Sequence, residues 1–179
     1  MRPSRLRRCA ALVVLLPAFA LATSIVERPL AERARSADRV VLAQVLESKT
    51  VVTEMVPPRV EGGRPTPRMV TVTRLAVGED YRGSGPSQIE VVQLGGRFGL
   101  WEAHVPGDAT FEAGETAILL LRCRDAASPG RCTLVNLGEG KLQVVGPDVI
   151  ERSITLGQST RRPLRAVADL LRALPQVTR

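Results

Sequence analysis

The sequence has little histidine and few aromatic residues: His104 is the single histidine, and aromatic side chains make up 3% of the chain. A protein zinc site ordinarily uses three or four nitrogen, sulfur or oxygen ligands, so one imidazole without a free thiol pair argues against a metal centre. Single-stranded nucleic acids stack their bases on aromatic side chains above a basic groove. We therefore expect no metal, no cofactor and no nucleic acid.

Lysine is also scarce, because only Lys49 and Lys141 are lysines among the 25 basic residues. The formal net charge is +7, and four arginines within the first eight residues supply four of those charges. The remainder of the chain is therefore only weakly basic. We interpret the preference for arginine as compositional, and it gives little support to an anion-binding function.

No apolar run is long enough to cross a bilayer. The longest, from Cys9 to Leu21, has about 13 residues, whereas a spanning helix needs about 20. It follows the arginine-rich start and ends in the small-x-small pattern of residues 20–22, which is typical of a signal peptide. We predict a leader over residues 1–22, a mature N-terminus at Thr23, and a secreted or periplasmic protein without a stable membrane span.

Two cysteines remain after that cleavage, Cys123 and Cys132, at the ends of two β-rich segments. Eight residues rich in turn formers separate them. An oxidising compartment favours their pairing, and we predict a structural disulfide in a hairpin. The spacing and the absence of nearby histidines disfavour a redox or metal-binding pair.

The arrangement of apolar residues predicts a mainly β protein. Residues 29–37 favour a short helix, and seven or so strands follow between residues 40 and 156. Among them are separate strands over residues 40–46 and 51–56 and a central, continuously apolar strand over residues 115–123, with a turn over residues 78–87. Pro and Gly residues predict a flexible loop over residues 57–67. Shifts in the apolar phase near Arg74 and within residues 89–94 are typical of bulged strands in small closed barrels. We predict a barrel domain over residues 23–157.

The C-terminal segment, residues 158–179, is predicted to add an amphipathic helix to the same domain. Between Pro163 and Leu174 the apolar residues fall on one helical face, with Ser159 or Thr160 as the cap. The arginines on the opposite face, Arg161, Arg165 and Arg172, allow contact with an anionic envelope surface. An envelope-associated scaffold is therefore one alternative function.

Five segments together resemble a group of uncharacterised exported bacterial proteins: Ser36–Val45, Val92–Gly96, Val105–Gly107, Phe111–Glu115 and Gly138–Leu142. That group has no established activity. More distantly, a helix followed by an Ala-Asp-x-Val-Val element and a Greek-key barrel is similar to netrin-like modules and tissue inhibitors of metalloproteinases. This resemblance implies a barrel of OB or netrin-like type. Those inhibitors chelate zinc through an N-terminal cysteine, whereas the predicted N-terminus here is Thr23.

His104 lies between Glu102 and Asp108 in the longest connection, residues 95–110. A histidine beside carboxylates can act as a general base or metal ligand, so a hydrolase or metal-dependent enzyme is a second alternative. No Gly-x-Ser-x-Gly element supports it. The glycine-rich residues 95–99 do not lead into a helix, as a phosphate-binding loop would.

The aromatic residues of the same connection, Phe98 and Trp101 with Phe111 close behind, allow two interpretations. They form an apolar anchor for a partner, or the loop folds over the barrel end and Trp101 plugs it. With so few aromatics for a core, we expect the plug. The leading function is an exported, non-enzymatic binding module for another exported or envelope protein, using residues 95–110 and 57–67, with Phe98, Trp101 and His104 as candidate binding residues. The oligomeric state is left open.

Overall fold

A computed structural model describes residues 28–57, 64–123, 128, 130–153 and 157–175. The predicted leader, most of the loop predicted over residues 57–67, and residues 154–156 lie outside this part of the chain. The elements in chain order are α1 (Leu30–Arg35), β1 (Arg39–Val56), β2 (Thr66–Arg82), β3 (Gln88–Leu94), β4 (Gly96–Phe98), β5 (Trp101–Ala103), β6 (Thr116–Arg122), β7 (Arg131–Leu134), a 3-10 helix (Leu137–Gly140), β8 (Lys141–Val145), β9 (Asp148–Arg152), β10 (Ser159–Pro163) and α2 (Leu164–Arg172).

Five strands close into a ring. Strands β1, β2 and β3 form an antiparallel meander, β3 pairs in parallel with β7, β7 pairs with β6, and β6 returns to β1. A three-stranded meander followed by a long connection and two closing strands is a Greek-key barrel of the OB type. The predicted mainly β barrel with a helix near each end is confirmed. Strands β8, β9 and β10 extend the sheet beyond β6.

The two longest strands, β1 and β2, are bulged. Register shifts interrupt their pairing at four places, one of them between Val45 and Glu47, opposite Leu75 and Arg74. The apolar phase shift near Arg74 therefore corresponds to a bulge in the partner strand, β1. The apolar phase shift within residues 89–94 does not correspond to a bulge, because β3 pairs with β2 in one uninterrupted register.

Two hydrophobic cores lie on either side of β1 and β6. The barrel interior contains Val41 and Leu119, whereas Val40 and Leu120 face a second core that includes residues of both helices. Because β6 is buried on both faces, its sequence is an unbroken apolar run instead of an alternating one. The prediction that this strand is central is confirmed by its pairing with β1, β7 and β8.

The C-terminal segment differs from the prediction at its start. Residues Ser159–Pro163 form the exposed edge strand β10, and α2 begins only at Leu164 with no side-chain cap. Arg161 therefore lies on a strand and not on the helical face. The apolar face of the helix is confirmed, since Val167 and Leu171 are buried in the second core. Neither helix among the described residues has the length and apolarity needed to span a bilayer.

The predicted disulfide is present between Cys123 and Cys132, with a Cα–Cα distance of 4.3 Å. It joins the end of β6 to β7, which pairs with β6 as a hairpin. The amide of Cys123 also donates a hydrogen bond to Asp38 Oδ2 at 3.1 Å. The bridge therefore lies in the wall of the barrel, and disulfides of this kind are typical of proteins in oxidising compartments.

Candidate functional site

After Leu94, at the end of β3, the chain passes through two positions that require glycine. Gly95 and Gly96 have φ angles of +89° and +124°. A Cβ on Gly95 would overlap the carbonyl oxygen of Ala103, and one on Gly96 would overlap the hydroxyls of Thr50 and Thr71. Residues other than glycine are disfavoured at such backbone angles. The glycine pair therefore turns the backbone closely across the sheet.

Hydrogen bonds hold this turn on β1 and β2. The Gly95 amide donates to the Met69 carbonyl at 2.9 Å, and the Thr71 hydroxyl donates to the Gly95 carbonyl at 3.0 Å. Two residues after Gly95, the Arg97 amide donates to Thr50 Oγ1 at 3.2 Å. The hydroxyl oxygens of Thr50 and Thr71 lie 3.3 Å apart. Sequence reasoning missed these threonines, because they are ordinary strand residues until the sheet pairs them.

Strands β4 and β5 form a small hairpin. We call residues 94–103, which include Leu94 and the two glycines, the apolar hairpin. Phe98 pairs with Trp101 around a two-residue turn, in which Gly99 has a φ of +59°. Leu100 at the turn is fully exposed, Phe98 is 52% exposed and Trp101 43% exposed. The expectation that Trp101 plugs the barrel is therefore wrong, since a plug would be buried. The glycine backbone crosses the sheet instead.

The two faces of the apolar hairpin differ in chemistry. The pairs Gly96–Ala103 and Phe98–Trp101 lie on one face, and Arg97 pairs with Glu102 on the other. The backbone edge of β4 contacts the sheet, because the Arg97 amide bonds to Thr50 and a Cβ on Gly96 would meet Thr50 and Thr71. The structure thus brings the predicted residues Phe98 and Trp101 together.

His104 follows β5 and lies apart from that pair, at a cavity of about 550 Å³ between residues 104–115 and strands β8 and β9. The charged or titratable lining residues are His104, Asp108, Glu112, Glu115, Lys141 and Arg152. His104 is exposed. Among the described residues no hydrogen bond or ion pair joins it to a carboxylate, and no group of three His, Cys, Asp or Glu residues could hold a metal ion.

Two charged groups in the cavity wall, Lys141 and Glu115, are paired with each other. Lys141 Nζ lies 2.7 Å from the Glu115 carboxylate, donates to the Thr110 carbonyl, and sits 4.8 Å from the centre of the Phe111 ring. Both charged side chains are about nine-tenths buried. Lys141 donates a hydrogen bond to Glu115 Oε2, whereas Oε1 is buried without a hydrogen-bond partner among the described residues. The pair serves as a cross-link between β8 and residues 110–115.

The loop that carries His104 is held by β3. Gln93 donates to Asp108 Oδ1 at 2.6 Å and to the Ala109 carbonyl at 2.8 Å. Gln93 immediately precedes Leu94, so the last residues of β3 fix both the cavity loop and the apolar hairpin.

The chain matches no protein-family model, no curated protein and no solved structure.

Proposed function

We propose that this protein is an exported, non-enzymatic binding module that engages another exported or envelope protein through the apolar hairpin. The observation that carries this proposal is the full exposure of Leu100 between the half-exposed Phe98 and Trp101. Leu94, at the start of the apolar hairpin, is also exposed. An exposed cluster of large apolar side chains, rimmed by polar residues, is characteristic of an interaction surface.

The energetics support a protein partner. Fully burying a leucine or phenylalanine side chain contributes roughly 1.5–3 kcal/mol, and tryptophan is among the residues that most often dominate interface energies. The glycines and the threonine hydrogen bonds hold the hairpin in place before binding, which reduces the ordering cost of association. A protruding hairpin tip of this shape fits a concave apolar surface on the partner.

Export is part of the proposal and rests on two supports. One is the arginine-rich, apolar leader of residues 1–22, and the other is the Cys123–Cys132 bridge. Together they favour a secreted or periplasmic location. The connectivity of the five-stranded ring also supports our proposed relationship to OB-type, netrin-like modules.

Affinity capture tests this function. The mature chain is used to capture proteins from extracellular and envelope fractions, in parallel with the variants Trp101→Ala and Leu100→Ser and with Val145→Ala as the control. Val145 is an exposed apolar residue on β8, outside the apolar hairpin. We expect a partner that the native chain and Val145→Ala retain and both hairpin variants lose, with unchanged melting temperatures. Identical captured proteins for all four chains would refute the proposal.

The cavity beside His104 supports a second candidate, a hydrolase or metal-dependent enzyme. Its volume lies within the range of small-molecule sites, roughly 300–1,000 Å³. The variant His104→Ala would then abolish turnover of a substrate found by screening, at unchanged stability. If the binding function is the correct one, this variant retains the partner in the capture experiment.

A further inference from the structure

We propose that the cavity between residues 104–115 and strands β8 and β9 binds a small zwitterion, a short peptide whose amino and carboxyl termini are both free. This site goes beyond the proposed function, because none of the described lining residues belongs to the apolar hairpin. The observation that carries it is a pair of opposite charges, Arg152 and Glu112, that line the same cavity from its two walls without contacting each other.

Strands β8 and β9 form the first wall, which we call the sheet wall. Gln143 lies opposite Ile150 in the register of these strands, and both line the cavity together with Lys141 and Arg152. Leu142, between the two lining residues of β8, is buried in the second core on the other face, as the alternation of side chains along a strand requires. The sheet wall is therefore one regular face of the sheet.

Two cations are neighbours on the sheet wall. Lys141 and Arg152 come one step beyond the Leu142–Glu151 pair, so they lie opposite each other on adjacent strands, where like charges repel. Lys141 is neutralised by the Glu115 carboxylate at 2.7 Å. The side chain of Arg152 is exposed and, among the residues that the structure describes, makes no ion pair or hydrogen bond. One positive charge on the sheet wall is therefore not neutralised.

The other charges on this face of the sheet compensate each other. Arg161 of β10 lies opposite Ile150, and its guanidinium is 3.7 Å from the carboxylate of Asp148. Such an exposed pair adds little stability, but it carries no net charge. Arg152 is therefore the position on this face at which an anionic group of a ligand would be bound.

The second wall, residues 104–115, carries the opposite charge. The Glu112 carboxylate is exposed and has no ion pair or hydrogen bond within the described part of the chain. Asp108 Oδ1 accepts hydrogen bonds from the Gln93 amide group and from the Ala109 amide, and these uncharged donors hold the carboxylate in place without neutralising it. The segment contains no lysine or arginine. An ammonium group is therefore the favoured ligand of this wall.

The size of the cavity sets the length of the ligand. Its volume is about 550 Å³, and a sphere of that volume is about 10 Å across, which matches three residues of extended chain at 3.3–3.6 Å each. Ile150 offers an apolar contact to a central side chain, and the carboxamide of Gln143 can both donate to and accept from a peptide group. A tripeptide with an apolar central residue therefore fits the lining, with its carboxylate at Arg152 and its ammonium group at Glu112.

The probe for this inference is the tripeptide Ala-Leu-Ala with free termini, titrated into the ¹⁵N-labelled mature chain. We expect saturable shifts of the amides of residues 104–115 and of the Gln143 side chain. Amidation of the carboxyl terminus and acetylation of the amino terminus each remove one charge, so each should weaken binding at least about fivefold. Free leucine, which is too short to reach both charges, should bind at least about fivefold more weakly as well.

Two variants assign the ends of the peptide. Arg152→Gln should weaken binding of the free tripeptide at least about fivefold but should not affect the amidated peptide, which has no carboxylate to lose. Glu112→Gln should behave in the same way toward the free and the acetylated peptides. Both side chains are exposed, so melting temperatures should not change. Arg165→Gln, at an exposed position on α2, is the control and should bind like the native chain.

Four results would overturn the inference: no saturable shifts at millimolar tripeptide, equal binding of the free and capped peptides, free leucine binding as tightly as the tripeptide, or an effect of Arg152→Gln on the amidated peptide as large as that on the free one. The proposed function is tested separately, because capture through the apolar hairpin should be the same for Arg152→Gln and the native chain. Failure of the peptide titration would therefore leave the hairpin-dependent capture standing, and failure of the capture would leave the cavity site standing.

Discussion

Individual residues decide whether the apolar hairpin is held on the sheet, and Gly96 is the most constrained of them. We expect Gly96→Ala to release the hairpin, because the new methyl group overlaps the Thr50 and Thr71 hydroxyls and the backbone has a positive φ. Trp101 is the single tryptophan, so its fluorescence should shift to the red, with a stability loss of about 1–3 kcal/mol.

Gly146→Ala is the matched control for this substitution. Gly146 also has a positive φ, but no atom lies within 4 Å of the position of its Cβ. It should lose only the conformational term of about 1 kcal/mol, and the tryptophan emission should not change. Equal losses of stability in urea unfolding would show that contact with the threonines does not constrain Gly96.

A second residue, the buried Arg82, links α1 to Pro175, which follows α2. Arg82 Nη1 donates to the carbonyls of Ala34, at 2.7 Å, and Arg35, at 3.0 Å, and Nε donates to the Pro175 carbonyl at 3.1 Å. Arg82→Met keeps much of the apolar stem but removes these charged donors from the carbonyls of residues 34, 35 and 175. We expect a stability loss of about 3 kcal/mol.

Urea unfolding measures that loss, with Arg165→Met as the control. Arg165 is exposed on α2, and its replacement should change stability by about 0.5 kcal/mol or less. If both variants unfolded at the same urea concentration, the bonds of Arg82 would not contribute to stability.

Among the elements, α2 is fastened to β2 by a cluster that titrates. Arg172 stacks 5.2 Å from the centre of the Tyr81 ring and pairs with Glu79 at 2.6 Å. Burial, and then the charge of Glu79, raise the pKa of Tyr81 above its ordinary value. A group with a raised pKa in the folded state contributes stability that is complete below its unfolded pKa, near 10, and is lost as the pH rises through the folded value.

We therefore expect the melting temperature of the native chain to fall between pH 9 and pH 11 more steeply than that of Tyr81→Phe. The phenylalanine variant keeps the ring but has no proton to lose. Parallel pH profiles would contradict the assignment of this alkaline destabilisation to Tyr81.

The disulfide acts on the β6–β7 hairpin. In the chain-entropy account, a bridge between residues nine apart in sequence contributes about 2.5 kcal/mol by restricting the unfolded chain. The double substitution Cys123→Ser with Cys132→Ser should lower the free energy of unfolding by about this amount. Reducing the native chain should give the same result, and an unchanged urea midpoint in both cases would contradict it.

The sequence predicted those elements that have their own apolar signal. The continuous apolar run of β6 and the amphipathic face of α2 were sufficient to predict these two elements, because burial on two faces or on one helical stripe leaves a visible pattern in the sequence. Strand β1 was divided in the prediction at Glu47 to Thr50, which are polar and exposed or partly exposed. They stay in the strand because Arg74 and Thr73 of β2 pair with them, and a partner so distant in sequence is not visible locally.

Two other elements lacked a local signal for a related reason. Strand β10 is exposed throughout and is held by backbone pairing with β9. Its first residues, Ser159 and Thr160, are also typical helix-capping residues, so its sequence does not indicate a strand. Residues 78–82 were expected in a turn but continue β2, where Asp80 pairs with Val41 and accepts a hydrogen bond from Arg39 at 2.6 Å.

At the scale of the whole molecule, the candidate site was only partly predictable. The clustering of Phe98 and Trp101 is a property of the sequence, but their exposure depends on where Gly95 and Gly96 direct the chain. That direction is set by Thr50 and Thr71 on other strands. The connection predicted over residues 95–110 contains β4 and β5, so His104 lies in the segment that joins β5 to β6. Its position at a cavity depends on β8 and β9, which are far along the chain.

The shared walls of the two cores limit how far this chain can be shortened. Val40, Ile118 and Leu120 are covered on their outer side by residues of α1 and α2. A recombinant chain that stops before Ser159 would expose these apolar side chains to solvent while leaving the ring of strands intact. Such a shortened chain should aggregate and bind hydrophobic dyes, so a minimal version of the molecule must keep α2.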